Sequence, residues 1–109
     1  MHKYFFGTYF QKTGTSDPYV VLTQNNMAVK TKPVPKTLNP AWNEYLEMGI
    51  YEKDLITGEL QIQVFDKDLL TDDSIGSAKL LLSQIPHNNA QEFNINVRFS
   101  NTLLCELFH

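Results

Sequence analysis

Residues 59–68 carry the sequence ELQIQVFDKD, in which apolar and polar side chains alternate before two aspartates. Leu60, Ile62 and Val64 fall on one side of an extended chain, because successive side chains of a β-strand point to opposite faces. Asp66 and Asp68 occupy the next two alternate positions, so they fall on the same side as that apolar row. The pattern predicts a half-buried strand over residues 59–65 whose inward-facing row ends in two carboxylates at the rim of the fold.

The same alternation recurs along the rest of the chain. Residues 92–99 repeat it most clearly, and turn signals such as the Asn25-Asn26 pair separate the alternating segments. A helical turn is considered near Tyr51, within residues 43–55. The remaining strands are predicted at residues 3–10, 19–24, 27–32, 42–48, 75–82 and 102–108. Eight short strands with little helix are typical of an all-β sandwich or barrel.

Length and composition limit the classes of protein to which the chain can belong. We expect its 109 residues, of which 42% are hydrophobic and 19% charged, to form a single globular domain over residues 1–109. The net charge of −3 argues against a nucleic-acid partner, because phosphate binding needs a basic surface. The same charge disfavours an anionic lipid surface unless a bound cation reverses the local sign.

Reactive side chains are few, and they do not form a catalytic set. The single cysteine, Cys105, has no partner for an internal disulfide, so a reducing, cytoplasmic setting is expected. Ser16 and Ser74 have no histidine near them in the sequence, and the three histidines are scattered. The sequence therefore predicts no enzyme, no catalytic residues and no small-molecule substrate.

The acidic cluster after the strand at residues 59–65 is a candidate metal site. Like charges that converge in a loop repel by roughly 1 kcal/mol per pair even in water. A hard cation such as calcium, which takes about six to eight oxygen ligands, would remove that repulsion. The alternative is a solvated acidic turn. An EF-hand is excluded, because Leu70 and Thr71 stand where that motif needs an oxygen ligand and a glycine. The cluster consists of Asp66, Asp68, Asp72 and Asp73.

Four stretches in fixed order resemble the C2 domain family, as found in protein kinase C and the synaptotagmins. They are GTSDPYV at residues 14–20, KTK at residues 30–32, TLNPAWNE at residues 37–44, and the segment 64–76 that contains VFDKD and DSIG. The resemblance implies an eight-stranded antiparallel β-sandwich with three loops at one end. In this family, aspartates of the first and third loops hold calcium, and the loops then dock on phospholipid head groups.

The resemblance also implies a set of calcium ligands. Asp17 matches a ligand of the first loop, and Asp66, Asp68 and Asp73 match the three ligands of the third loop, with Asp72 as a weaker candidate. The family usually carries a further aspartate where this chain has Gln11, and the first loop is about three residues short. Fewer carboxylates lower the affinity for calcium, so we expect one weak site at most.

Three further expectations follow from the resemblance. Leu69 and Leu70 at the tip of the third loop are expected to insert into the membrane interface, the alternative being that one of them tucks under the loop. Lys30, Lys32 and Lys36 would form a basic groove for phosphoinositides, the alternative being a solvated strand face.

The strand at residues 3–10 leads directly into the first loop, and another strand follows residue 99. This order resembles the circularly permuted type II topology of the family, although loss of a first strand would also explain it.

Two functions remain open at this level. The first is calcium-regulated binding to anionic phospholipid membranes, by a protein that associates peripherally with the membrane from the cytoplasm. The second is a calcium-independent scaffold that binds a protein partner or a phosphoinositide through the Lys30, Lys32 and Lys36 face. Gln11, in place of a carboxylate in the first loop, keeps the second hypothesis open.

Overall fold

The computed structural model describes residues 2–10, 17–35, 41–67, 72–85, 91–97 and 103–108. These residues contain eight strands that form two four-stranded sheets, and the expected all-β sandwich is confirmed. One sheet has the order β4-β1-β7-β8 and the other β3-β2-β5-β6. The elements are β1 (His2–Phe10), β2 (Pro18–Gln24), β3 (Met27–Lys30), β4 (Ala41–Met48), α1 (Glu52–Thr57), β5 (Glu59–Asp66), β6 (Asp73–Leu81), a 3₁₀ helix (Leu82–Gln84), β7 (Gln91–Val97) and β8 (Leu103–Phe108).

Each predicted strand is present, with described ends within about two residues of the expected ones. Differences of two residues occur at β3, which ends at Lys30 where a strand to residue 32 was expected, and at β6, which begins at Asp73 where a start at residue 75 was expected. The helical turn is present as α1, which has six residues and buries none of them. Neither α1 nor the 3₁₀ helix, the two helices of the described ranges, is long and apolar enough to cross a membrane.

One strand pair departs from the expected antiparallel arrangement. β1 and β7 run parallel, with Tyr4 opposite Gln91 and Phe6 opposite Phe93. A tight turn forces two strands to run antiparallel, whereas a long connection leaves either direction open. Five strands separate β1 from β7 in the sequence, so no short turn fixes their relative direction. The other strand pairs among the described residues are antiparallel.

The core lies between the two sheets and is built from the inward-facing rows of the alternating strands. β5 illustrates the rule, because Leu60, Ile62 and Val64 are fully buried while the residues between them are half-buried. Burying such side chains stabilises a fold by about 1.5–3 kcal/mol each. Among the residues whose burial the structure describes, the core contains Tyr4, Phe6, Val20, Leu22, Trp42, Leu46, Met48, Leu60, Ile62, Val64, Leu82 and Ile85.

A two-residue turn joins β2 to β3 at the position that the sequence predicts. Asn25 and Asn26 both have positive φ, 48° and 66°, and the flanking residues Gln24 and Met27 face each other across the hairpin. Hairpin turns of two residues favour positive φ because that conformation matches the twist of the strands. Asparagine adopts it more readily than most residues do.

An irregularity in the pairing of β5 and β6 determines which residues meet at the rim. Val64 lies opposite Gly76, but the next residue of β5, Phe65, lies opposite Ser74. Ile75 is therefore an extra residue on β6, which is the arrangement of a β-bulge. Beyond the bulge, Asp66 faces Asp73. The bulge thus brings two of the predicted ligands to adjacent positions at one end of the sheet.

Candidate functional site

Three of the predicted calcium ligands come together at one end of the β3-β2-β5-β6 sheet. Asp66 is the last residue of β5 and pairs with Pro18 of β2 on one side and with Asp73 of β6 on the other. Asp17 directly precedes β2, and its backbone N–H donates a hydrogen bond of 2.8 Å to Oδ1 of Asp66. Segments that are far apart in the sequence therefore place their acidic residues at a common edge.

The Oδ1 atom of the Asp17 carboxylate is buried and accepts no hydrogen bond within the part of the chain that the structure describes. A buried polar atom without a partner costs roughly 1–3 kcal/mol, so such an atom calls for an explanation. A cation between Asp17 and Asp66 would supply the missing interaction, and carboxylate oxygens are the ligands that calcium prefers.

The backbone that carries Asp17 is held on two sides. Its carbonyl accepts a hydrogen bond of 3.1 Å from the N–H of Lys67, the residue after Asp66. The carbonyl of the next residue, Pro18, accepts a bond of 2.8 Å from Nε1 of the buried Trp42 and one of 3.1 Å from the N–H of Val34. Trp42 belongs to the buried core, and its ring nitrogen also holds the start of β2.

Asp72 has partners other than the remaining aspartates. Its Oδ2 accepts a hydrogen bond of 2.6 Å from the Tyr19 hydroxyl and lies 3.5 Å from Nζ of Lys67. Tyr19 is half-buried and stacks on Phe65, with ring centroids 5.6 Å apart. Burial, the hydrogen bond and the negative charge of Asp72 together raise the pKa of Tyr19 to about 12. The Tyr19 hydroxyl therefore stays protonated at neutral pH and donates a hydrogen bond to the Asp72 carboxylate.

Several predicted site residues lie outside the described residues. They are Lys36, Asp68, Leu69 and Leu70, and Gln11, which replaces a usual ligand of the family, also lies outside them. The backbone of Asp73 is placed by β6, but its side chain is not among those described. Within the described ranges, no group of three or more histidine, cysteine, aspartate or glutamate side chains is close enough to hold a metal ion. The described part of the candidate site is thus the Asp17 and Asp66 pair with the backbone position of Asp73.

The two described lysines of the predicted basic groove are both exposed. Lys30 and Lys32 flank Thr31, which is buried and whose Oγ1 accepts a hydrogen bond of 2.9 Å from the N–H of Val20. The N–H of Lys32 donates a bond of 3.0 Å to Oε2 of Glu44. This alternation places both lysines on the solvent side of the segment, as the sequence predicts.

Strand register adds one cation to this outer face that the sequence analysis did not single out. Lys79 of β6 lies opposite Gln61, which lies opposite Thr23 of β2, and Thr23 lies opposite Ala28 of β3. Directly opposed residues share a face of the sheet, so exposed Lys79 lies on the same face as Lys30. Strict alternation along β6 from Asp73 would place Lys79 on the inner face of the sheet. The extra residue Ile75 reverses this assignment, so the sequence pattern alone could not identify Lys79 as an outer residue.

Comparison with known proteins identifies the family. The sequence model of the C2 domain matches residues 7–97. The chain is 34% identical over 93 residues to multiple C2 and transmembrane domain-containing protein 2 of Mus musculus, covering 84% of the chain and 10% of that protein. It is 34% identical over 85 residues to the calcium-dependent lipid-binding protein of Arabidopsis thaliana, covering 77% of the chain and 16% of that protein.

A solved structure gives the same result. The calcium-bound pair of C2 domains of extended synaptotagmin 2 superposes with a TM-score of 0.66 at 27% identity, over 86% of this chain and 38% of that one. The chain spans 10% and 16% of the length of these two relatives and 38% of the solved chain. The family match over residues 7–97, together with these relatives, establishes that the chain belongs to the C2 domain family.

Proposed function

We propose that residues 1–109 form one C2 domain that binds anionic phospholipid membranes under the control of calcium. The observation that carries this proposal is the Asp17 and Asp66 pair, joined by a 2.8 Å hydrogen bond, with a buried Asp17 Oδ1 that has no partner among the described residues. The relatives support it, since one is named a calcium-dependent lipid-binding protein and one solved relative is calcium-bound. The domain acts as a peripheral binding module in the cytoplasm and not as an enzyme.

Calcium would act through local charge. The candidate ligands are Asp17, Asp66 and Asp73 at the described edge, with Asp68 in the third loop. Without a cation these carboxylates repel an anionic surface, whereas bound calcium makes the end of the sandwich neutral or positive. Leu69 and Leu70 would then enter the interface and add apolar burial. Because Gln11 stands where the family usually has a carboxylate, we expect one weak site, with a dissociation constant for calcium of about 10⁻⁴–10⁻³ M.

Liposome co-sedimentation tests this function directly. The chain is mixed with vesicles that contain an anionic phospholipid, in millimolar calcium or in chelator, and the bound fraction is measured. Binding in calcium only, and a fall in binding with added salt, are expected because the attraction is electrostatic. Asp66→Asn removes one ligand charge and should abolish the calcium response. Glu47→Gln on the opposite sheet is the matched control, because it removes a carboxylate from an exposed ion pair with Lys3.

The same test decides against the proposal if calcium has no effect. Calorimetry then checks the cation itself, because a ligand that binds the native state releases or absorbs heat and raises the melting temperature. Flat titrations and an unchanged melting temperature at millimolar calcium would remove the calcium site from the proposal.

A second candidate function rests on the outer face of the β3-β2-β5-β6 sheet. Lys30, Lys32 and Lys79 are all exposed, and Lys30 and Lys79 are placed on this face by the strand register. Such a face suits a phosphoinositide head group or an acidic protein partner without any need for calcium. Vesicles with and without a phosphoinositide, both in chelator, separate this candidate from the first, because only the second candidate predicts binding there.

A further inference from the structure

Three segments of the chain meet at the carboxylate of Asp72, at the same end of the sheet as the Asp17 and Asp66 pair. Tyr19 of β2 donates a hydrogen bond of 2.6 Å to Oδ2 of Asp72, and Nζ of Lys67 lies 3.5 Å from the same oxygen. Tyr19 is fixed by its stacking on Phe65. The side chain of Asp72 is about one quarter exposed, at 24%, so water screens this contact less than it screens a fully exposed pair.

These contacts close a ring with the backbone of the candidate site. Asp72 binds Lys67 through the side chain, and the N–H of Lys67 donates a hydrogen bond of 3.1 Å to the carbonyl of Asp17. Asp17 is two residues before Tyr19, which returns to Asp72 through its hydroxyl. The ring thus joins the start of β2, the end of β5 and the start of β6. These are the three backbone segments that carry Asp17, Asp66 and Asp73.

From this geometry we propose that Asp72 is a positioning residue of the candidate calcium site and not one of its ligands. Its carboxylate ties the three segments together, so that Asp17 and Asp66 keep their hydrogen-bonded arrangement before a cation arrives. This inference rests on the proposed function for its link to calcium. The positioning effect itself is a property of the cation-free chain and is measured there. An arrangement formed in advance favours binding, because less order has to be imposed on the ligands.

Amide hydrogen exchange in the cation-free chain tests the positioning effect. The N–H groups of Asp17 and Lys67 report on the ring, since they donate to Asp66 Oδ1 and to the Asp17 carbonyl. Tyr19→Phe removes one hydroxyl, and Asp72→Ala removes the shared acceptor. Each variant should exchange both amides about tenfold faster, as expected for the loss of a hydrogen bond to a charged group. The N–H of Thr31, which donates to Val20, should keep its rate.

Two comparisons make this result specific. Glu47→Ala breaks the Lys3 and Glu47 ion pair, which has the same 3.5 Å separation but lies on the other sheet, and it should leave both amides unchanged. The double variant with Tyr19→Phe and Asp72→Ala should exchange no faster than Asp72→Ala alone, because both changes break one ring. Unchanged exchange in both single variants overturns the proposal. Faster exchange at every amide, Thr31 included, also overturns it, because that result describes general destabilisation.

Terbium, a luminescent substitute for calcium, tests whether Asp72 is a ligand. Luminescence lifetimes in light and heavy water count the water molecules on the bound ion. Asp66→Ala should add water to the ion, whereas Asp72→Ala should weaken binding without adding any. Added water in Asp72→Ala overturns the proposal, because a lost ligand is replaced by water. If the unchanged chain takes up no terbium, the proposed calcium function fails, and the amide result still decides the positioning effect separately.

Discussion

Asp17 donates its backbone N–H to Oδ1 of Asp66 at 2.8 Å across 49 residues of sequence. The bond joins the residue that precedes β2 to the last residue of β5, the neighbouring strand in the same sheet. Two carboxylates at one edge repel each other unless something compensates their charge. The backbone N–H compensates part of the charge on Asp66, and the Asp17 Oδ1 atom remains without a partner among the described residues. The proposed calcium site rests on this pair.

The outer lysines are expected to carry any calcium-independent lipid binding. Replacing Lys30 and Lys32 together with alanine should weaken binding to phosphoinositide vesicles by about thirtyfold, since each lysine near an anionic surface contributes about 1 kcal/mol. Affinity is measured by co-sedimentation in chelator. The double variant of Lys3 and Lys53, two exposed lysines elsewhere, removes the same charge and should have a much smaller effect. Equal affinities in the two double variants would favour a solvated strand face.

Trp42 is expected to stabilise the fold through its ring nitrogen as well as its volume. Trp42→Phe leaves the Pro18 carbonyl without its 2.8 Å hydrogen bond from Nε1 and leaves space in the core. We expect the free energy of unfolding to fall by about 1–3 kcal/mol, measured by urea denaturation. Tyr45→Phe, at a position that is 59% exposed, should change it by less than about 0.5 kcal/mol. A Trp42→Phe variant as stable as the parent chain would show that this hydrogen bond is not important for the fold.

Gly58 is expected to tolerate no side chain. A Cβ atom at this position would lie 2.5 Å from the Asp54 carbonyl oxygen and 3.1 Å from Cδ1 of Leu82. The carbonyl is fixed, because it accepts a hydrogen bond from the Gly58 N–H, and the Leu82 side chain is fully buried. Gly58→Ala should therefore lower the free energy of unfolding by about 1–3 kcal/mol. Thr57→Ala at the neighbouring exposed position is the control, and equal melting temperatures for the two variants would contradict the clash.

Stability should fall at high pH because of the buried Tyr4. Burial raises the pKa of Tyr4 to about 12 from the ordinary value of 10.0. The folded chain keeps this proton after the unfolded chain has lost it, so the stabilisation is complete below pH 10 and is lost between pH 10 and about 12. Urea denaturation over this range should give a falling free energy of unfolding. Tyr4→Phe should reduce the slope, and the remainder would come from Tyr19, whose pKa is also raised. An unchanged slope in Tyr4→Phe would exclude this mechanism.

Strand positions could be predicted from the sequence because alternation is a local property. In β5, for example, the apolar residues Leu60, Ile62 and Val64 recur at every second position, and all three are buried. The Asn25 and Asn26 turn was equally clear, since few residue types accept positive φ. The helix α1 had a weak signal, because its six residues bury no side chain and Tyr51 provides no side-chain cap. A short exposed helix leaves little periodicity to detect.

The candidate site could be predicted only in part. Asp66 was identified from its place at the end of a buried row, and Asp17 from its resemblance to the family. The roles of Tyr19 and Lys67 were missed, because their common partner Asp72 is 53 residues from Tyr19 in the sequence. Contacts between residues so far apart depend on how strands are paired. Strand pairing leaves little trace in the local sequence pattern.

The sequence by itself determined the strands, the inward-facing apolar rows and the family, because each of these is written in the order and spacing of residues. The tertiary structure decided the partners at the rim. Regular pairing continued from Val64 and Gly76 would set Asp66 opposite Ser74, whereas the extra residue Ile75 sets it opposite Asp73. The parallel direction of β1 and β7 was likewise decided by packing, since no short turn joins them. Long-range register results from the balance of packing over two whole sheets, and no single segment of the sequence contains that information.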